Sequence, residues 1–354
     1  MRWVIAGGGT GGHLFPALAL AEALVARGRE VMILGCGRRV EALALSGVPY
    51  PVATISGEGF LGRGLWGKTR ALARLLWGVL QALRILRRWS AEVVFGTGGY
   101  ASVPALGAGF LLRLPLGLHE PNAVPGLANR LLGHLVQRIF VTYPDTREHF
   151  PSAKVRVSGT PVRASLLEER PREHSGPGLL VLGGSQGART LNRLLVETAP
   201  ELYRRLPDLY LLHQTGERDF GWVKEAYRKK GLPVEVRAFI RDMAWAYAQA
   251  DLVVTRAGAS TVAELCALGK PALYIPYPYA THRHQEANAR TVVERGGGLL
   301  FQEAELSPEI FVETVGDLLL RPAKLSEMGR RARELFRPGA TETIIEEMEA
   351  LVHA

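Results

Sequence analysis

The stretch WVIAGGGTGGHLFPALALAEALVARG, residues 3–28, decides the fold. Its apolar start, Trp3–Ala6, predicts a strand, and the run Phe15–Arg27, closed by Gly28, predicts a helix. A second apolar strand, Val31–Leu34, follows. A strand, a glycine loop, a helix and a strand in this order form the opening of a doubly wound parallel sheet.

Two further glycine loops follow apolar stretches in the same way. GTGGYAS (96–102) comes after the predicted strand Glu92–Phe95, and GGSQGAR (183–189) comes after Gly178–Leu182. A chain of 354 residues is long enough for two domains. We therefore predict an α/β protein with two Rossmann-like parallel-sheet domains. Their predicted bounds are 1–162 and 163–338, with the linker near GTPVR (159–163) and a C-terminal helix in 339–354 that packs back on the first domain.

Glycine loops between a strand and a helix let a phosphate approach bare backbone N–H groups at the positive end of the helix. GGGTGG (7–12) fits the dinucleotide pattern, but the end of the second strand carries no acidic residue for a ribose. Arg38 and Arg39 keep an NADP site open as an alternative. Glycines that serve only tight helix–sheet packing are the other alternative.

His13 ends the first glycine loop, where the predicted helix begins. A helix N-terminus disfavours the imidazolium, so we expect a neutral ring that can act as a general base. A histidine that merely caps the helix would have the same position.

The two cysteines, Cys36 and Cys266, lie too far apart in the sequence to suggest a disulfide framework or a zinc motif, which makes a reducing compartment the default. The first strand follows the N-terminus directly, with no n-region and h-region before it, so we expect no signal peptide. The uncharged stretch Val93–Leu112 is interrupted by glycines and a proline, so we interpret it as strand, loop and buried helix rather than as a membrane span.

The positive charge is concentrated in the first half. Residues 1–163 hold 19 Lys and Arg against 8 Asp and Glu, whereas residues 164–354 hold 24 against 26. At 100° per residue, one helical stripe collects several basic residues and a tryptophan, with leucines and a valine opposite, predicted to face the core. Such a stripe suits an anionic membrane surface, although a solvated basic face is the alternative. The stripe consists of Arg70, Arg74, Trp77, Gln81, Arg84 and Arg88, and the opposite face of Leu72, Leu76, Val79, Leu83 and Leu86.

Eight stretches together resemble the MurG family, the bacterial transferases that add N-acetylglucosamine to lipid I. They occur in the family's order through nearly the whole chain. They are GGTGGHLFPALALAE (8–22), GTGGYAS (96–102), HEPNAVPGLANR (119–130), GTPVR (159–163), GGSQGAR (183–189), FIRDMAWAYAQADLVVTRAGASTVAEL (239–265), PALYIPYP (271–278) and HQEANA (284–289).

The resemblance implies the GT-B fold, with the active site in a cleft between two Rossmann-like domains. It implies UDP-N-acetylglucosamine as donor and undecaprenyl-linked lipid I as acceptor. The product would be lipid II for peptidoglycan synthesis, with a new β-1,4 linkage formed by inversion at the anomeric carbon. The family works peripherally at the cytoplasmic face of the plasma membrane, where other cell-wall synthesis proteins are further candidate partners.

The resemblance also assigns roles to individual positions. Ile240 matches a position whose backbone reads the uracil edge, and Glu264 matches a carboxylate that accepts from the ribose hydroxyls. Gln285 matches a reader of the transferred sugar. The full donor set is Thr10, Gly11, Gly12, Asn122, Arg163, Ser185, Ile240, Ala259, Ser260, Thr261, Val262, Ala263, Glu264, Gln285 and Asn288, and the acceptor diphosphate set is Gly12, Gly98, Gly99 and Tyr100.

Four of these positions have an ordinary structural explanation as well. Ser185 could cap a helix, and Asn122 could belong to a turn. Glu264 and Gln285 could be solvent-facing helix residues.

Inversion suits a single displacement with one base. We predict that His13 is this base, with Glu120 as its rival or as a partner that orients the ring. The third glycine loop, with Arg163, would neutralise the leaving diphosphate. No Asp-x-Asp motif is present, so we expect no required cofactor or metal and at most stimulation by a divalent cation.

Two other functions stay open on the residues. A diacylglycerol glucosyltransferase would share the donor half and differ in acceptor. An NADP-dependent oxidoreductase would use GGGTGG with Arg38 and Arg39. Nucleic acid is not an expected partner, because no RRM, KH or zinc signature is present.

Overall fold

The computed structural model describes residues 1–57, 65–184, 187–280 and 283–353, and it divides into two compact units. Unit 1 comprises Met1–Arg163 together with the chain from Arg337 onward, and unit 2 comprises Ala164–Phe336. The predicted boundaries, after residues 162 and 338, fall next to these positions.

Unit 1 is built on a parallel sheet whose strand order is β3-β2-β1-β4-β5-β6-β7. The central pair β1 and β4 runs in register from Trp3 beside Val93 to Ala6 beside Gly96. The strands are β1 Arg2–Ala6, β2 Glu30–Gly35, β3 Val52–Thr54, β4 Val93–Gly96, β5 Leu116–Glu120, β6 Arg138–Val141 and β7 Val155–Val157, and the helices are α1 Gly11–Ala26, α2 Arg39–Ala44, α3 Leu65–Trp89, α4 Ser102–Leu111 and α5 Leu127–Leu135.

Unit 2 repeats the arrangement with the strand order β10-β9-β8-β11-β12-β13, again all parallel. Its strands are β8 Gly178–Leu182, β9 Tyr210–Gln214, β10 Glu235–Arg237, β11 Leu252–Thr255, β12 Ala272–Tyr274 and β13 Gly298–Leu300, and its helices are α6 Arg189–Arg205, α7 Glu217–Lys229, α8 Met243–Ala248, α9 Ala259–Leu268, α10 His284–Val293, α11 Pro308–Leu319 and α12 Pro322–Arg333.

The last helix, α13 Ala340–Val352, packs on unit 1. Its apolar side, Ile344, Ile345 and Met348, is buried in the same cluster as Trp3 and Leu20. Glu347 accepts hydrogen bonds from Arg138 at 2.7 Å and Arg156 at 2.8 Å, which tie the helix to β6 and β7.

Apolar runs with glycine punctuation explain the sheets, because a strand covered by helices on both sides is buried over its whole length. Every residue of β4, β5 and β8 is buried. The prediction of an α/β protein with two parallel-sheet Rossmann-like domains is confirmed.

Candidate active site

The predicted site residues of unit 1 gather where the strand order reverses. β1 and β4 are neighbours in the sheet, and the connections leave β1 in one direction and β4 in the other. The loops after these two strands therefore flank one crevice at their carboxyl ends, the usual ligand position in such sheets. These loops are the first glycine loop (7–10) and the second (97–101).

His13 lies in the first turn of α1, not in the loop before it. The helix begins at Gly11, four residues before the predicted start, because extended Thr10 caps it and its carbonyl accepts from His13 N and Leu14 N. Two glycines in a first turn give a weak helix signal, which is why the sequence placed the start later.

The ring of His13 is held by the second glycine loop. Its Nδ1 lies 2.8 Å from the carbonyl oxygen of Thr97, and the Thr97 hydroxyl donates to the His13 carbonyl at 2.7 Å. A carbonyl oxygen only accepts, so Nδ1 carries the proton and the lone pair lies on Nε2. The half-buried ring is therefore prepared to accept a proton at Nε2.

Gly98 and Gly99 make room for this ring. Both have positive φ, +91° and +76°. A Cβ on Gly98 would lie 2.6 Å from His13 Nδ1, and one on Gly99 would lie 2.3 Å from the carbonyl oxygen of Gly8. Any side chain at either position would displace the ring or the first loop.

Glu120 ends β5 fully buried and is bonded at both oxygens. Oε1 accepts from Asn122 N at 3.0 Å and Asn122 Nδ2 at 2.9 Å, and Oε2 accepts from Asn129 Nδ2 at 2.9 Å and Gly126 N at 3.3 Å. Burial raises the pKa of Glu120 above its usual value, although these N–H groups act in the opposite direction. Asn129 also lies against Gly98, so it connects Glu120 to the loop that holds His13.

Glu41 fills the position where a dinucleotide would meet the loops after β1 and β2. This buried carboxylate accepts from the backbone N–H groups of Gly9 (2.7 Å), Cys36 (2.8 Å), Gly37 (2.8 Å) and Arg38 (3.3 Å). An internal carboxylate thus uses the donors that an NADP phosphate would need, which counts against the oxidoreductase alternative.

The remaining predicted residues of unit 1 lie around the same loops. Arg163 stacks its guanidinium 5.4 Å from the centre of the Phe15 ring, one turn along α1 from Gly11 and Gly12. Tyr100 is partly exposed in the second glycine loop, and its ring would lie 3.1 Å from a Cβ on Gly9.

The buried face of α3 includes most of the predicted one, because Leu86 is buried and Val79 and Leu83 pack against the same core cluster. Gly78, Ala82 and Leu86 are buried, and Gly78 packs so closely that a Cβ there would lie 2.1 Å from the carbonyl of Ser56. The placement of Leu76 against the core was wrong: its side chain is 57% exposed, since the small residues Gly78 and Ala82 make the close approach.

Of the predicted basic stripe, Arg70, Trp77, Arg84 and Arg88 are exposed. Arg74 is half-buried and lines a cavity instead. Leu72 lies in α3, but its side chain is outside the described part of the structure. Within the described ranges, no helix combines the length and apolarity that crossing a membrane would require.

Unit 2 brings its predicted donor residues to its own reversal point, between β8 and β11. The third glycine loop follows β8, and α9 begins after β11 at Ala259 with extended Gly258 as its cap. Ala259, Ser260 and Val262 are buried, whereas Thr261 and Ala263 are half-buried. Ser185 lies outside the described residues.

Glu264 is not a solvent-facing helix residue. It is buried in α9, and its Oε2 accepts from the hydroxyl of Tyr247 at 2.9 Å. Tyr247, fully buried in α8, thereby fixes the rotamer of this carboxylate. No sequence pattern indicates this partner, because the two residues come from different helices.

Gln214 connects the third glycine loop to the predicted uracil reader. Its Oε1 accepts from Ile240 N at 2.9 Å, which orients its amide so that Nε2 donates to the Gly184 carbonyl at 3.4 Å. The amide of Ile240 therefore donates within unit 2.

Gln285 and Asn288 come together at the start of α10. Gln285 Oε1 accepts from Tyr277 N at 2.9 Å, and the buried Asn288 donates to the Ala257 carbonyl at 3.3 Å, just before α9. Among the described residues, no group of three or more His, Cys, Asp and Glu side chains is placed to hold a metal ion.

Known protein families match both units of the chain. The model of the glycosyltransferase family 28 N-terminal domain matches residues 3–141, and that of its C-terminal domain matches residues 178–344. Proteins named UDP-N-acetylglucosamine--N-acetylmuramyl-(pentapeptide) pyrophosphoryl-undecaprenol N-acetylglucosamine transferase match almost end to end. The one from Geobacter metallireducens is 42% identical over 98% of both chains, and the one from Thermodesulfovibrio yellowstonii is 41% identical over 99% of both. The chain belongs to the MurG family of these glycosyltransferases.

Solved structures support this assignment. MurG of Acinetobacter baumannii is 30% identical, with a TM-score of 0.74 over 99% of this chain and 100% of that one. A putative UDP-N-acetylglucosamine 2-epimerase from Listeria monocytogenes shares the fold alone, at 15% identity and a TM-score of 0.71 over 98% of this chain and 94% of that one. The predictions of family, fold class and enzyme class are confirmed.

Proposed function

We propose that this chain transfers N-acetylglucosamine from its UDP donor to the C4 hydroxyl of the N-acetylmuramoyl group of lipid I, with inversion, to form lipid II. The match to the named transferases over nearly the full length of both chains carries this conclusion. The geometry of the two units supplies a mechanism.

His13 is the general base in this mechanism. Nε2 accepts the proton from the acceptor hydroxyl as that oxygen bonds to the anomeric carbon and the bond to UDP breaks. The Thr97 carbonyl stabilises the resulting imidazolium through Nδ1–H. The support is that His13 is half-buried with its Nε2 lone pair set by this bond, whereas Glu120 is buried with both oxygens bonded.

Glu120 is a positioning residue. It organises the segment 120–129 by accepting from Asn122, Gly126 and Asn129. Asn129 reaches Gly98, so the carboxylate stabilises the loop that carries Thr97 and hence the ring of His13.

Unit 2 holds the donor. The Ile240 carbonyl accepts from N3–H of uracil, Glu264 accepts from the ribose hydroxyls, and Gln285 with Asn288 faces the sugar. The leaving diphosphate is stabilised by the N-terminus of α9 and the third glycine loop. No metal is required in this scheme.

The protein binds the anionic inner surface of the plasma membrane through α3, since a polyprenyl acceptor stays in the bilayer. The exposed face of α3 combines Arg70, Arg84 and Arg88 with Leu76, Trp77 and Leu80. Basic residues with exposed apolar side chains suit such a surface.

The experiment is a parallel acceptor assay with labelled UDP-N-acetylglucosamine. A short-chain lipid I analogue and diacylglycerol are offered separately. Transfer to the lipid I analogue alone is expected. Transfer to diacylglycerol alone would be consistent with the proposed donor site but would contradict lipid I as the acceptor.

A further inference from the structure

A cavity of about 410 Å³ opens in unit 1 on the side of the second glycine loop. Its walls are residues 36–38 after β2, residues 54–57 after β3, and Arg74 and Gln81 of α3. The roles assigned so far leave this cavity unused.

Two guanidinium groups belong to the cavity wall. Arg38 and Arg74 both line it, and Arg38 forms no ion pair among the described residues. The carboxylate of Glu41, next to this wall, is buried and accepts from four backbone N–H groups. Burial beside that carboxylate raises the pKa of the Cys36 thiol to about 11, so the thiol adds no negative charge at neutral pH.

The cavity also contains an uncharged hydrogen-bond donor. Gln81 Oε1 accepts from Ser56 N at 2.8 Å, so the amide NH₂ is what this side chain offers the cavity. Two guanidinium groups with a nearby amide donor suit an oxyanion, because arginine binds carboxylates and phosphates through paired N–H groups.

The second glycine loop connects this cavity to His13, the proposed base. The Arg38 guanidinium lies 5.8 Å from the centre of the Tyr100 ring, and a Cβ on Gly57 would lie 2.6 Å from the Tyr100 carbonyl oxygen. The adjacent Gly99 would contact the His13 ring at 3.2 Å if it carried a Cβ. Residues 99 and 100 of the second glycine loop therefore lie between the cavity wall and the His13 ring.

We propose that Arg38 and Arg74 bind an anionic group of the acceptor, either its diphosphate or a carboxylate of its peptide. This rests on the proposed function, since the acceptor named there carries both groups. The two arginines act in acceptor binding and leave donor binding unchanged.

The experiment measures binding of a short-chain lipid I analogue by calorimetry in the absence of donor, for Arg38→Gln and Arg74→Gln. Arg87→Gln on α3 and Arg27→Gln after α1 are matched controls, because both arginines are exposed in unit 1 and do not line the cavity. Each cavity variant is expected to weaken acceptor binding at least about tenfold, the scale of one charge-assisted hydrogen bond. The controls and the affinity for UDP-N-acetylglucosamine are expected to stay within about twofold.

A second analogue that lacks the peptide identifies the anion. A loss that persists with this analogue assigns the cavity to the diphosphate, and a loss that disappears assigns it to a peptide carboxylate. Wild-type affinity of both cavity variants, with unchanged unfolding midpoints, would overturn the proposal. A wild-type protein that binds the donor but neither analogue would instead overturn the proposed acceptor itself.

Discussion

His13 and Thr97 are joined by two hydrogen bonds that run in opposite directions. The His13 ring Nδ1 lies 2.8 Å from the Thr97 carbonyl, and the Thr97 hydroxyl donates to the His13 carbonyl at 2.7 Å. The pair ties the first turn of α1 to the loop after β4. It fixes both the orientation of the imidazole and the nitrogen that accepts the proton.

Replacement of His13 tests the base directly. His13→Ala is expected to lower kcat by about 10² to 10⁴ and to remove the limb of the pH–rate profile that reports the base. Thr97→Val is the matched control, because it keeps the carbonyl and loses only the hydroxyl bond. It should cost ~1 kcal/mol, roughly a fivefold lower kcat. Near-full turnover of His13→Ala would remove the residue from this role.

Glu120→Gln separates a positioning residue from a base. The new NH₂ group would face N–H donors at either oxygen position, so the unfolding free energy should fall by about 1 to 3 kcal/mol. Turnover should drop while the shape of the pH–rate profile stays unchanged. Asn129→Ala, which removes the link to Gly98, should give the same pattern. A stable Glu120→Gln enzyme that has lost its basic limb would make Glu120 the base instead.

Tyr247→Phe tests the support of Glu264. Loss of the 2.9 Å bond frees the carboxylate, and the KM for UDP-N-acetylglucosamine should rise about fivefold for ~1 kcal/mol. Tyr227→Phe is the control, since that buried hydroxyl pairs with His213 at 3.0 Å, and its KM should not change. Donors without ribose hydroxyls should show no difference between wild type and Tyr247→Phe. A penalty that remains with them would contradict the positioning role.

Neutralising the exposed arginines of α3 tests membrane contact. A triple Gln variant at Arg70, Arg84 and Arg88 should bind phosphatidylglycerol vesicles about a hundredfold more weakly, at about 1 kcal/mol per arginine. A triple Gln variant at the exposed Arg218, Arg295 and Arg321 of unit 2 removes the same charge and should bind as wild type. An equal loss of vesicle binding in both triple variants would mean that net charge, and not the exposed face of α3, accounts for the effect.

Metal removal is expected to leave the enzyme active. The scheme stabilises the leaving diphosphate with a helix N-terminus and backbone N–H groups. Transfer measured in EDTA should therefore persist, with at most a modest gain on adding Mg²⁺. Complete loss in EDTA that Mg²⁺ restores would contradict this prediction.

Local sequence patterns were sufficient to predict the fold. The run Trp3–Gly28 contains its own strand, loop and helix, and each glycine loop directly follows the strand that positions it. Because parallel strands end at one edge of a sheet, loop residues as distant as His13 and Gly98 could be expected together.

The partners of the site residues could not be predicted, because they depend on packing between distant segments. Glu41 reaches Gly9 across 32 positions, Gln214 reaches Ile240 across 26, and Tyr247 reaches Glu264 across 17. The exposure of Leu76 on α3 escaped prediction for a different reason. Hydrophobicity alone placed Leu76 on the core face with Val79, Leu83 and Leu86, whereas the closest contact is made by Gly78, against Ser56.

The most direct test of the account is the structure of the product made by the wild-type enzyme from UDP-N-acetylglucosamine and a short-chain lipid I analogue. Proton NMR of the disaccharide gives both the linkage position and the anomeric configuration. A β-linkage to the C4 oxygen of the N-acetylmuramoyl group is the predicted result. An α-linkage, or a sugar attached at any other oxygen, would contradict it.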